Sequence, residues 1–308
     1  MLPGAVTALV ASDQGATSGL PARPGIGATI DLDMPFRRAS AFSLAELTAH
    51  WNLGYASYFV PIEYTETMFA WHVQAGDLDL DSSVVLVEGG ELVGFSYLGR
   101  REHRGWIGGV GVAPAHRGRG AGREIFAEQI AIVHRLRLAQ VQLEVLRQNW
   151  AQKVYARAGF RTTRDLVILA ATLPRDARPP GSARVTSRSA YRAHHARLHA
   201  AFPACWQREP PSLPGDPTLE VLAIGPADAP TAMLMIGPQS GELRIRDGAA
   251  ADLAQAEAVL AALSSLHPGA AVTIVNEPEG SPLHRALVAL GATETLAQHE
   301  MWWTASAA

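Results

Sequence analysis

Residues 110–123, Val-Gly-Val-Ala-Pro-Ala-His-Arg-Gly-Arg-Gly-Ala-Gly-Arg, restrict what this chain can fold into more than any other stretch. An apolar run ends there, glycines alternate at 118, 120 and 122, and a helical pattern begins near Arg123. Glycine tolerates positive φ, so successive amides of such a turn can point into one concavity. The helix after it adds unpaired N-terminal donors and the positive end of its dipole. Arg117, Arg119 and Arg123 add mobile positive charge, and the product is a cradle for a pyrophosphate. Two other phosphate turns do not fit. No Gly-Lys-Ser/Thr closes the loop as a P-loop requires, and arginine at 123 breaks Gly-x-Gly-x-x-Gly spacing. The plain alternative is a glycine-rich connection between two elements.

The 308 residues are enough for one large domain or two of ordinary size, and 48% apolar content can fill a core in each. Net charge is −3, from 26 basic and 29 acidic residues, so no broad basic face for nucleic acid is expected. Anion recognition has to come from a local site. The single cysteine, Cys205, excludes an intrachain disulfide and a cysteine metal cluster, and fits a cytoplasmic location. No apolar run approaches the roughly 20 residues that span a bilayer, so no membrane partner is expected. Residues 1–27 are rich in Ala, Gly, Pro and Ser, with a short apolar portion that lacks a basic flank. They read as a mobile extension rather than a secretory signal.

The stretch 175–182 holds adjacent prolines and a glycine, which disfavour helix and central strand alike, and marks a linker between domains at 28–174 and 183–308. In the first domain a strand is expected over Ile30–Arg37. Ser43 and Glu46 have capping-box spacing and open a helix to about Tyr55, and Thr65–Gln74 forms a second. Glu88-Gly89-Gly90-Glu91 between two apolar runs signals a hairpin. A strand over Trp106–Val112, a helix over Arg123–Leu136, a strand over Val141–Leu146, a helix over Trp150–Ala158 and a strand over Leu166–Ala171 complete it. Helices interleaved with hairpins imply an α/β chain with a mixed sheet. The second half repeats this order: strands at Leu219–Ile224, Ala232–Ile236 and Glu242–Arg246, a helix at Ala251–Leu266, a strand at Ala271–Val275, a helix at Pro282–Leu290 and a strand at His299–Trp303. A tandem duplication is expected.

The first half resembles the GNAT N-acetyltransferase superfamily. Arg117, Gly120 and Gly122 match its Gln/Arg-x-x-Gly-x-Gly/Ala hallmark, preceded by Val112 and Pro114. Asn149, Tyr155 and Gly159-Phe160 match the second signature, an Asn that opens a helix carrying Tyr and ending in Gly-Phe. The resemblance covers about Ile30–Leu173 and implies transfer of an acetyl group from acetyl-CoA to a primary amine, on a small molecule or a peptide, without a metal. It implies a strand ending at Val112 that splays from the one beginning at Val141. Coenzyme A would be held by Val110, Val112, Arg117, Gly118, Arg119, Gly120, Ala121, Gly122, Arg123 and Asn149, with Tyr155 as general acid.

The base is open. The strand from Trp106 carries only Gly, Ile and Val before Ala113, where many relatives place a Glu; Glu102, His103 and Glu63 are candidates through water. Trp51, Tyr55, Tyr58, Phe59 and Tyr64 could line the acceptor pocket or simply pack a helix onto the sheet. His195 and His199 are spaced i, i+4 on a helix, yet no third metal ligand is apparent in the sequence. In the second half Leu287 stands opposite Tyr155 and Ala292 opposite Phe160. Asp247-Gly248-Ala249-Ala250 replaces the glycine turn, and Asp247 would repel a pyrophosphate, so a degenerate domain with a structural or acceptor-shaping role is expected. Trp302 and Trp303 could pack between the halves or inside the last strand. A non-catalytic acyl-CoA sensor is the alternative to an enzyme.

Overall fold

The computed structural model describes residues 35–216, 218–239 and 241–305. The extension expected over 1–27 and the start of the strand expected from Ile30 lie outside them. Contacts divide the chain into two units. The first takes in the described residues up to Leu143, with Lys153–Phe160 and the chain from Trp302; the second comprises Glu144–Gln152 and Arg161–Met301.

In the first unit, β1 (Phe36–Arg38), β2 (Val84–Glu88), β3 (Glu91–Arg101) and β4 (Arg104–Val112) pair antiparallel in that order. β5 (Gln140–Leu146) joins β4 in parallel. The β2–β3 turn is made by Gly89 and Gly90, both at positive φ, as their hairpin spacing requires. α1 (Leu44–Gly54) starts at the expected capping box: the Glu46 amide donates to Ser43 Oγ at 3.2 Å, and the Ser43 amide donates to Glu46 Oε2 at 2.7 Å. α2 (Glu66–Ala75) starts at Thr65, whose hydroxyl accepts from the Met68 amide. α3 (Ala121–Arg135) buries Ile125, Phe126, Gln129, Ile132 and Val133, a single stripe at helical spacing. α4 (Gln152–Arg157) is short and ends at Gly159, whose φ of 94° stops the helix.

Two features set β4 apart. Its parallel ladder with β5 covers only Arg104↔Gln140, Gly105↔Val141 and Trp106↔Gln142. Its register with β3 shifts between Tyr97↔Gly109 and Leu98↔Ile107, so Gly108 bulges out. The last turn of α1 also presses on it. A Cβ on Gly111 would stand 2.5 Å from Phe95 Cζ and 3.1 Å from the Gly54 backbone.

The second unit contains β6 (Arg161–Thr172), β7 (Arg184–Thr186), α5 (Arg188–Leu198), β8 (Glu220–Ile224), β9 (Ala232–Gln239), β10 (Glu242–Ala250), α6 (Leu253–Leu266), β11 (Ala271–Pro278), α7 (Pro282–Ala289) and most of β12 (Thr293–Thr304). Its strands run β12-β6-β11-β10-β9-β8-β7. From β7 to β10 every pair is antiparallel, and β10–β11 is parallel, which is the pattern of the first unit repeated. The chain is thus two tandem domains, each a mixed sheet flanked by helices. Leu222, Leu234, Ile245, Val259, Leu260, Leu263, Ile274 and Leu287 form the main apolar core of the second.

The units do not divide at the proline-rich linker. β6, placed by its sequence position with residues 28–174, pairs antiparallel with β11 and belongs to the second unit. β7 is not expected from the residues, because a three-residue edge strand shows no alternation. Trp303 packs within the first unit, edge-on to the His134 ring at 5.1 Å and against Gly159. Among the described residues no helix is long and apolar enough to cross a membrane.

Gly111→Ala should destabilise the protein by about 1–3 kcal/mol, the usual penalty for overpacking. Urea denaturation measures it; an unchanged midpoint would show that Phe95 can swing aside.

Candidate active site

The turn between β4 and α3 is built as its glycines require. Gly118 and Gly120 take φ of 75° and 99°, and Gly120 is the left-handed N-cap of α3. Gly122 lies inside the first turn with no such need, where a Cβ would only touch Val112. A Cβ on Gly118 would meet open space, and one on Gly120 nothing nearer than Glu124 Oε1 at 4.0 Å. Below them, the Arg123 and Glu124 amides donate to the Gly120 carbonyl. Among the described residues, the five amides from Gly118 to Gly122 have no protein acceptor. Donors held open at a helix N-terminus form a ready anion site. Arg119 and Arg123 are exposed beside it, with no ion-pair partner among the described residues.

Arg117 departs from expectation. Its Nε donates to the Val112 carbonyl at 2.9 Å, and Nη2 donates to the carbonyls of Gly54 (3.1 Å) and Ala56 (2.6 Å). The side chain is therefore not a mobile charge. It ties the end of α1 to the end of β4 and holds the mouth of the cradle. Val112, named among the coenzyme A contacts, has its carbonyl engaged by this arginine.

Tyr155 is buried on α4, with its ring 4.7 Å from that of Phe126, and Phe160 packs against the other side of Phe126 at 5.6 Å. Burial pushes its phenol pKa up, and the neighbouring Tyr58 adds to the shift. Tyr55 is raised still further, by burial and then by Tyr58, Tyr155 and Tyr64, while the Val110 amide donates to its hydroxyl. Three phenols thus gather near the backbone of β4, and the Val110 amide is already taken by one of them. Tyr55 and Tyr58 are half-buried and meet edge to face at 5.2 Å; Phe59 is 51% exposed. Trp51 and Tyr64 do not join this rim. They are 4% and 5% exposed and stack on each other at 4.8 Å, so they are core residues rather than acceptor contacts.

Asn149 lies in the turn after β5, where its Oδ1 accepts from the Ala151 amide, and contacts group it with the second unit. Glu102 sits in the β3–β4 turn at φ 51°, next to His103. That turn is at the far end of β4, whose first residue, Arg104, is six positions or roughly 20 Å along the strand from Val110. The structure therefore does not bring Glu102 or His103 beside Val110. Glu63 is exposed on the loop before α2, with nothing in the structure that assigns it a role.

Residues 44–160 match the model of the acetyltransferase (GNAT) family. They form a GNAT acetyltransferase domain. The whole chain is also similar to solved structures of that fold. A GCN5-related N-acetyltransferase from Sphaerobacter thermophilus is 15% identical with a TM-score of 0.61, over 89% of this chain and 97% of that one. One from Anabaena variabilis is 16% identical with a TM-score of 0.60, over 87% and 71%. A tandem GNAT protein from the clavulanic acid biosynthesis pathway, solved without AcCoA, is 12% identical with a TM-score of 0.59, over 86% and 95%. At such identities the likeness speaks for the fold alone. No curated protein matches the sequence.

The second unit repeats the GNAT topology without the cradle. β10 runs into α6 through Asp252, whose Oδ1 accepts from the Gln255 amide as an ordinary N-cap. The parallel β10–β11 ladder ends at Ile245↔Ile274, and both strands are irregular just beyond it. The gap past that point is filled by Arg208. Its guanidinium donates to Asp247 Oδ1 (2.8 Å), Glu277 Oε2 (2.6 Å) and the carbonyls of Asn276 and Gly248. Asp247 acts through this ion pair and not by repelling a phosphate from solvent.

Two residues of the GNAT domain carry no motif, and the sequence reading did not single them out. Asn52 clasps the backbone of Tyr64 from both sides, at 2.9 and 2.8 Å, and so closes the loop that carries Tyr55, Tyr58 and Phe59. Buried His72 sits among Trp51, Tyr64 and Trp106, and its Nε2 bonds the carbonyl of bulged Gly108 at 3.0 Å. Burial lowers its pKa to about 4, against 6.5 for a free imidazole, so the ring is neutral and Nε2–H donates. Their only trace in the sequence is a polar residue on an apolar helix face.

Because the unfolded chain binds this proton more readily, His72 costs stability as pH falls from 6.5 towards 4, by about 3 kcal/mol in all. His72→Gln should keep the bond to Gly108 and flatten melting temperature against pH across that window. A slope equal to the wild type's would show that other groups govern acid unfolding.

Proposed function

We propose that the GNAT domain is an N-acetyltransferase that moves acetyl from acetyl-CoA to a primary amine, of a small molecule or a peptide, by direct attack. The observation that carries this reading is the row of five acceptor-free amides at the start of α3, flanked by two unpaired arginines. It suits the paired phosphates of coenzyme A, and the short β4–β5 ladder leaves strand edge for the pantetheine arm. The Val110 amide, held by the Tyr55 hydroxyl, is a donor that a thioester oxygen could take over, and such donors stabilise the charge that develops there. Tyr155, its pKa raised by burial, keeps its proton at neutral pH. It is suited to protonate the departing thiolate and unsuited to deprotonate the amine. The lone buried cysteine agrees with a cytoplasmic setting. The second unit, its gap closed by Arg208, is read as a structural partner and not a second acetyl-CoA site.

One observation favours a second reading, an acyl-CoA sensor without turnover. No carboxylate stands on β4 to take the amine's proton, and Glu102 and His103 lie at its wrong end. Thiol release from acetyl-CoA with an amine panel separates the two. Release supports the enzyme, while tight binding without release on any amine supports the sensor.

Gly120→Val should weaken coenzyme A binding at least tenfold, since a β-branched residue at that φ is strained by about 1–3 kcal/mol; unchanged affinity in calorimetry would place the cradle elsewhere. Tyr155→Phe should bind coenzyme A normally and lower kcat by about 100-fold. Undiminished turnover would remove the tyrosine from the chemistry.

A further inference from the structure

A group of buried polar side chains in the second unit is not explained by the acetyltransferase reading. His195 in the last turn of α5 and His199 at its C-cap stand four residues apart, their rings 4.3 Å apart. Both Nε2 atoms lie 3.1 Å from Asp247 Oδ2 on β10, and all three residues are buried. The third ligand missing from the sequence pattern is therefore supplied by tertiary structure.

Counting hydrogens shows what this arrangement lacks. His199 Nδ1 faces the Phe202 carbonyl at 3.3 Å, which directs the single proton of a neutral ring to Nδ1. Nε2 then aims a lone pair at a carboxylate oxygen. His195 Nε2 also lies 3.1 Å from the Arg208 carbonyl, and the Tyr191 hydroxyl already donates to Asp247 Oδ2 at 2.6 Å. Satisfying every contact with protons would load three hydrogens onto Oδ2, an oxygen with about two lone-pair sites, while Arg208 occupies Oδ1. One cation between the two nitrogens and the oxygen resolves the crowding. A backbone-bound Nδ1 is also the usual way a metal-binding imidazole is oriented. A pocket of about 40 Å³ lined by His199, Ala201, Phe202 and Ser281 gives access and room for a water.

We propose that the second unit binds a divalent transition-metal ion of the zinc class through His195 Nε2, His199 Nε2 and Asp247 Oδ2. The two nitrogen–oxygen separations of 3.1 Å are within a few tenths of the ~3.3 Å expected for tetrahedral bonds of about 2.0 Å, and all three ligand atoms lie within 4.8 Å of one another. Two imidazoles and a carboxylate favour zinc, cobalt or iron over calcium or magnesium. The fourth place falls to the Arg208 carbonyl or to a pocket water. This site stands whether or not the first unit turns over acetyl-CoA.

The test uses the full-length chain, stripped with a chelator and titrated with zinc(II) and with cobalt(II). One equivalent of each should bind, and X-ray absorption of the zinc form should report two imidazoles bound directly to the metal. His199→Gln, a neutral replacement that leaves the Arg208 ion pairs in place, should weaken zinc binding by roughly 100-fold, with folding checked by circular dichroism. Wild-type protein that takes up no metal, or bound zinc without an imidazole ligand, overturns the proposal, and both outcomes are independent of how any variant folds. So does imidazole nitrogen NMR that finds His199 protonated at both nitrogens with zinc in excess.

Discussion

Strand β4 has to satisfy a sheet along its length and yet leave backbone donors open at its end. Hydrogen bonding normally forbids this, because buried amides without acceptors are costly. The structure resolves the conflict in space. Pairing to β5 stops after Trp106, a bulge at Gly108 re-aims the strand, and the turn beyond Val112 presents its amides at the surface.

Holding that end open needs more than glycine. Arg117 draws the carbonyls of Gly54, Ala56 and Val112 together, so α1 and β4 meet at a fixed angle. His72 takes the carbonyl that the bulge leaves over, and Asn52 shuts the aromatic loop. Each is a polar side chain that satisfies backbone groups which no ladder can reach. The site is preorganised because these contacts are made inside the protein.

The second unit shows the same architecture put to another use. Its parallel strands also part early, and the space between them holds Arg208, Asp247 and Glu277 in place of a ligand. A buried arginine between two carboxylates is a poor source of stability but a specific one, since removing any member strands a charge. The repeated topology has a gap that stays open in the first unit and in the second is closed by side chains from elsewhere in the chain.

Much of this was legible in the residues themselves. Ser43 with Glu46, Gly89-Gly90, and Gly118 with Gly120 act over a few positions, where spacing alone dictates caps, hairpins and left-handed turns; the family signatures at Arg117–Gly122 and Tyr155–Phe160 are of the same local kind. Long-range matters were not legible: that β6 closes on β11 and not with the half that precedes the linker, that Arg117 is a tie and not a free charge, that Trp51 and Tyr64 are core, that Asp247 completes a group begun by His195 and His199. Local order comes from backbone conformations that few residues tolerate. Which distant strand pairs, and which charge is buried beside which, is decided only when the whole sheet forms, because burial and partner are properties of the assembled structure and of no segment within it.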